Sequence, residues 1–91
     1  MYMFIEAMAD GGVAGGLPRD KAIAYAAATM EGAARMVMET GVHPGALKDA
    51  VCSPGGSTIA GVSTLEENGF RGAVMDCVKA SYEKSVALGN K

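Results

Sequence analysis

The residues best placed to do chemistry are Ser53-Pro54-Gly55-Gly56-Ser57-Thr58, a proline–glycine break between two stretches of helical spacing. The preceding helical pattern ends at Val51 or Cys52, because Pro54 lacks an N–H and biases Ser53 toward extended backbone. Gly55 and Gly56 tolerate backbone angles that other residues avoid, and they put no side chain between the backbone and a ligand. Ser57 and Thr58 are N-cap residue types, and Ile59, Val62 and Leu65 follow at helical spacing, so a helix is predicted to start here. A glycine pair feeding a helix start offers unpaired N–H groups and the positive end of the helix dipole to an anion. The spacing is neither Gly-x-x-x-x-Gly-Lys nor Gly-x-Gly-x-x-Gly, so a carboxylate or other small anion fits better than a nucleotide. An ordinary loop between two helices would carry the same residues.

Other reactive side chains are sparse. His43 stands next to Pro44, but no cysteine or serine nucleophile motif accompanies it, which favours a turn or capping role over a catalytic one. Cys52 and Cys77 lack metal-ligand spacing and lie far from His43, so they read as two reduced, partly buried thiols of a cytosolic protein. Met30, Met36 and Met38 fall at helical spacing, a pattern of plastic core or interface more than of metal binding. No metal site is expected.

The elements that must position the loop are helices. Met1, Phe4, Ile5 and Met8 share one helical face over a segment running from Met1 to about Val13. No cap precedes it, so it reads as the tail of a longer helix and the chain as a fragment. Gly11 and Gly12 are expected to let a neighbouring helix approach, whereas Gly15 and Gly16 end the element. Pro18 suits the first turn of the next helix and Asp20 complements its dipole. That helix is predicted from Arg19 to Thr40, with Ile23, Ala26, Ala27, Met30, Ala33, Ala34 and Val37 inward, and Gly41 as C-cap. Glu31 and Arg35 form a surface pair. His43-Pro44-Gly45 opens a short helix through Leu47 and Val51, in which neighbouring Lys48 and Asp49 point apart. Beyond the loop, one helix runs from Ser57 to Glu67, closed by Asn68-Gly69, with Phe70 packed back on the turn. A last runs from Arg71 to about Leu88, with Ala73, Val74, Cys77, Val78, Ser81 and Tyr82 inside and Gly89-Asn90-Lys91 frayed. No segment alternates over strand length, so the fold class is all-α with five helices.

Composition narrows the function. A chain of 91 residues makes one small domain and buries only about two-thirds of its unfolded surface. Yet 49% of it is apolar, much of that alanine and methionine, with no tryptophan. Such a chain suits close helix packing between copies, where a partner covers what one small domain cannot. The net charge of −2 and the lack of a basic, aromatic-interleaved stripe argue against nucleic acid. The longest uncharged run contains proline, glycines and hydroxyl residues, so no membrane span is expected. The N-terminus has no basic region, which argues against a secretory signal.

Several segments, taken together in order and spacing, resemble the C-terminal domain of pyrroline-5-carboxylate reductase. They are Ala9-Asp10-Gly11-Gly12-Val13, Gly16-Leu17-Pro18-Arg19, Glu39-Thr40-Gly41 and His43-Pro44-Gly45-Ala46-Leu47-Lys48-Asp49. Ser53-Pro54-Gly55-Gly56-Ser57-Thr58-Ile59-Ala60-Gly61, Leu65-Glu66 and Gly69-Phe70-Arg71 complete the set, so the likeness spans nearly the whole chain. The resemblance implies a cytoplasmic enzyme of proline biosynthesis that reduces 1-pyrroline-5-carboxylate with NADPH or NADH. It also implies a helical domain, here residues 1–91, that interlocks with its twin as a homodimer, five of which can form a decamer.

In that family the Ser-Pro-Gly-Gly-x-Thr segment forms the substrate pocket at the dimer interface. Its backbone amides hold the carboxylate and its threonine hydroxyl reaches the ring nitrogen. Carried onto this chain, the substrate-binding positions are Ser53, Gly55, Gly56, Ser57 and Thr58, with Thr58 also catalytic. Ser57 fills the variable slot, where its N–H would matter more than its hydroxyl. The family's nucleotide-binding Rossmann domain and its Ser-Gly-Pro-Ala segment have no counterpart in these residues. The expectation is therefore a dimerising, substrate-binding part of the reductase, inactive and without bound nucleotide by itself. The alternative is a free-standing helical interaction module that kept the dimer fold and lost the reaction.

Overall fold

The computed structural model describes residues 1–89, and all of its regular structure is helical. Five helices follow in order: α1 (Tyr2–Ala14), α2 (Arg19–Thr40), α3 (Pro44–Ala50), α4 (Ser57–Glu67) and α5 (Phe70–Gly89). Among the described residues there is no strand, as the lack of alternation predicts. The chain divides into two compact units, Met1–Leu47 and the part from Lys48 onward.

In the first unit α1 and α2 pack against each other through alanine. Ala9, Ala22 and Ala26 are the buried residues, with Ile5 and Val13 packed around them. A Cβ on Gly12 would stand 3.2 Å from Leu17 Cδ1 and 3.4 Å from Ala22 Cβ, so glycine here permits the close approach expected of it. Gly11 differs: nothing lies within 4 Å of its Cβ position, and the expected helix contact is not made within the first unit. The end of α1 is a Schellman turn. Leu17 N–H donates to Gly12 O at 3.0 Å and Gly16 N–H to Val13 O at 3.0 Å, with Gly16 at φ 110°. Pro18 is the N-cap of α2 (φ −60°, ψ 145°), one residue ahead of the helical turn expected for it.

Helix α2 has its predicted bounds, and Gly41 closes it in the left-handed region at φ 66°. Its expected inward stripe is only partly covered. At 1.5 Å per residue α1 reaches about 20 Å and α2 about 33 Å, so α1 shields only part of its partner. Ala27, Met30 and Val37 are half-buried, whereas Ala33, Ala34 and Ile23 are exposed. Arg35 sits 3.9 Å from Glu31, as predicted, and 3.3 Å from Glu39.

Short α3 begins at Pro44, where His43 Nδ1 accepts the Gly45 N–H at 2.9 Å, the capping role expected of that histidine. The helix stops at Ala50, a residue before the predicted end, in two tightened bonds: Val51 N–H to Lys48 O and Cys52 N–H to Asp49 O. Lys48 Nζ reaches Asp49 Oδ1 at 3.5 Å, so these neighbours meet although adjacent helical positions point apart.

In the second unit Gly69 at φ 70° turns α4 into α5, and Arg71 Nε donates to Glu66 Oε1 at 2.8 Å across the turn. Helix α5 begins at half-buried Phe70, one residue before the expected start, and includes Gly89. Of the predicted frayed tail, Asn90 and Lys91 lie outside the described residues. The expected inner side of α5 is not inside this unit: Ala73, Val74, Cys77, Val78, Ser81 and Tyr82 are all exposed. No described residue of the second unit is buried. One short helix offers too little surface to cover a helix of 20 residues.

Candidate functional site

The break between α3 and α4 is a tight turn of residues 53–56. Gly56 N–H donates to Ser53 O at 3.0 Å, and Gly55, at its third position, has φ 69°. Proline fixes φ near −65° at the second position, so positive φ at the third makes this a type II turn. The two glycines are required for different reasons. Gly55 needs an angle that a side chain disfavours, and nothing lies within 4 Å of its Cβ position. Gly56 has ordinary angles (φ −81°, ψ 174°) but no room: a Cβ there would collide with Ser53 Oγ and lie 3.2 Å from Ser53 O.

Gly56, not Ser57 or Thr58, is the N-cap of α4, and no side chain caps the helix. The sequence expectation placed the cap one or two residues late, because the closed turn carries the chain into the helix before either hydroxyl residue is reached. The Gly56 N–H is spent in the turn. The N–H groups of Ser57, Thr58 and Ile59, at the first three helical positions, have no acceptor among the described residues. Three free donors at the positive end of an 11-residue helix are chemistry suited to a small anion. Ser53, Ser57 and Thr58 add hydroxyls within the same six residues, and none of the three donates a side-chain hydrogen bond among the described residues. No group here titrates near neutrality, so the loop can hold and orient an anion but does not itself supply a general acid or base.

Ser53, Gly55, Ser57 and Thr58 are exposed and Gly56 half-buried, so the loop is open to solvent in the single chain. Elsewhere, Cys52 is half-buried as expected but Cys77 is exposed, and both are free thiols. Met36 and Met38 are exposed and Met30 half-buried. Among the described residues no group of three or more His, Cys, Asp or Glu could hold a metal ion. None of the described helices is long and apolar enough to cross a membrane.

One feature of the first unit escaped the sequence reading. Tyr2, Ile5, Glu6, Ala9, Asp10, Arg19 and Ile23 line an open groove of about 490 Å³, at whose edge Arg19 pairs with Asp10. The two are nine positions apart, and only the reversal at Gly15–Gly16 brings them together, a separation helical spacing does not reveal.

Comparison with known proteins adds to this geometry. Residues 1–88 match the family described as pyrroline-5-carboxylate reductase dimerisation. The pyrroline-5-carboxylate reductase of Escherichia coli (strain K12) is 58% identical over 88 residues, which is 97% of this chain and 33% of that protein. The reductase of Glycine max is 56% identical over 97% of the chain and 32% of its own length. Among solved structures, Plasmodium falciparum pyrroline carboxylate reductase with NADP bound superposes with a TM-score of 0.90 at 41% identity. That match covers 97% of this chain and 34% of the other. The chain thus spans about a third of the length of these relatives.

Proposed function

The chain belongs to the pyrroline-5-carboxylate reductase dimerisation family, and from that premise we propose that it is the C-terminal, self-associating and substrate-binding domain of such a reductase. The reaction is the NADPH- or NADH-dependent reduction of 1-pyrroline-5-carboxylate to L-proline, carried out in the cytoplasm. The observation that carries this reading is the set of unpaired N–H groups of Ser57, Thr58 and Ile59 above the type II turn. They suit the carboxylate of a cyclic imino acid. Gly55 and Gly56 keep the approach free of side chains, and the turn closed by Ser53 O aims the amides. With the carboxylate so fixed, the Thr58 hydroxyl is assigned to the ring nitrogen, which it steadies as the carbon of the C=N bond takes the nucleotide's hydride and the nitrogen takes a proton from solvent.

The nicotinamide nucleotide supplies the hydride when bound to the reductase. This chain's described residues contain no strand and no dinucleotide fingerprint, so none of them is assigned to holding it. By itself the chain is therefore inactive as a reductase. Its working form is at least a homodimer, with a decamer as the larger assembly. The second reading is a free-standing dimerisation module without the reaction. An upstream reading frame encoding a strand, glycine-rich loop and helix would decide for the enzyme.

Titration of the isotope-labelled chain with L-proline tests the site directly. The Ser57, Thr58 and Ile59 amide resonances are expected to shift together. Shifts confined to other helices, or none up to saturating proline, would remove the loop from substrate binding.

A further inference from the structure

The junction between α4 and α5 carries a reactive dipeptide that the substrate reading leaves unused. Asn68 precedes Gly69, and of the chain's two asparagines only this one is followed by glycine. A glycine amide has no side chain to hinder it, so it is the backbone nitrogen best able to reach the side-chain carbonyl of the residue before it. Both residues are exposed. Two hydrogen bonds keep the reacting groups engaged elsewhere. Asn68 Nδ2 donates to Thr64 O at 2.9 Å, and the Gly69 N–H donates to Glu66 O at 3.1 Å. Both bonds belong to the last turn of α4, and helix ends open more readily than helix interiors. Asp10-Gly11 is the chain's one aspartate–glycine pair and has the atoms to close the same ring. It lies inside α1, however, where the Gly11 amide belongs to the helical ladder and Arg19 holds the Asp10 carboxylate.

We infer that Asn68-Gly69 is a site of spontaneous deamidation, gated by opening of the last turn of α4. Once both bonds are released, hydroxide removes the Gly69 amide proton and the nitrogen attacks Asn68 Cγ. The Cγ–Nδ2 bond breaks, the leaving nitrogen takes a proton from water and departs as ammonia, and a cyclic succinimide remains. Water then opens the ring at either carbonyl. One opening gives aspartate, the other isoaspartate, in which the main chain runs through the former side-chain carbon. Nothing is oxidised or reduced, and water is the only co-reactant. Either product weakens the junction. A carboxylate cannot donate to Thr64 O, and its charge falls at the negative end of the α4 dipole, beside Glu66 and Glu67. Isoaspartate also lengthens the main chain where Gly69, at φ 70°, turns α4 into α5.

The test incubates the 91-residue chain in mildly alkaline buffer, folded and in guanidinium chloride, and follows it by peptide mass spectrometry. The peptide carrying Asn68 is expected to gain the mass difference between an amide and a carboxyl, with isoaspartate detected by its enzymatic methylation. Two modest hydrogen bonds predict conversion about 5- to 150-fold slower in the folded chain than in denaturant. Asp10 should isomerise only in denaturant. An Asn68 that stays intact in the folded chain while the denatured chain converts would mean that the turn does not open. Equal rates in the two would mean that the bonds do not gate the reaction. Either result overturns the proposal, as does an Asp10 that keeps pace with Asn68 in the folded chain. Asn68→Gln, whose longer side chain closes the ring poorly, should abolish the mass gain, and a gain that persisted there would place the reaction elsewhere. Asn68→Asp should melt below the wild type, and an unchanged melt would overturn the cost assigned to the product. Should that variant fail to fold, the wild-type time courses decide alone.

Discussion

In the proposed reading, Thr58 separates recognition from catalysis. Its hydroxyl caps nothing, since Gly56 holds the N-cap position and no side chain caps α4, so its removal should leave the helix intact. In the reductase that contains this domain, Thr58→Ala is expected to lower kcat/KM by about one to two powers of ten, as for a loss of roughly 1.4–2.7 kcal/mol. Part of that loss should appear in kcat if the proposed hydrogen bond from Thr58 strengthens along the reaction path. Thr58→Ser should recover most of it. Steady-state kinetics with unchanged kcat/KM in the alanine variant would remove the proposed role. Gly56 makes a different prediction. Its angles suit any residue, but an added Cβ would make Ser53 Oγ turn aside and press on Ser53 O, so Gly56→Ala should disturb the turn and raise KM while costing about 1 kcal/mol of stability, the low end for overpacking. Ser53→Ala in the same chain should recover only part, because Ser53 O remains 3.2 Å from the added carbon. Thermal melts and KM on the single and double variants check this. The loop and its glycines were readable from Pro54, Gly55 and Gly56 alone. That Gly56 is demanded by the Ser53 side chain was not, because the collision exists only after the turn has closed.

At the scale of elements, helix bounds were legible wherever a residue has one structural use. Gly41 in the left-handed region, Gly69 at φ 70° and the Gly15–Gly16 reversal stand where their backbone freedom predicts. Positions with two uses were read less well. Ser57 and Thr58 could cap or lie inside the helix, and a cap is only required where no turn has already set the entry. Gly11 could serve close packing, but nothing in its own unit approaches it. Gly11→Ala should therefore raise the stability of α1 by about 0.5–1 kcal/mol, read as a higher melting temperature. A fall in its place would mean that another chain packs against that position.

For the whole molecule, the inward face predicted for α2 is only partly covered within its unit, and the one predicted for α5 is exposed. Periodicity reports that a face is to be buried but not whether its cover lies in the same chain. Ala9, Ala22 and Ala26 are the only buried residues among those described, and an alanine contributes little apolar area. Burial of that size cannot offset the backbone entropy of ordering so many residues. Folding and association should therefore be one reaction. The melting temperature is then expected to climb with the logarithm of protein concentration, and scanning calorimetry over a hundredfold dilution would show it. A concentration-independent transition would mean that the single chain holds itself together. Three alanines thus have a kinetic corollary: the slow step in reaching the native state should be a bimolecular encounter, so refolding half-times should shorten as the chain is concentrated.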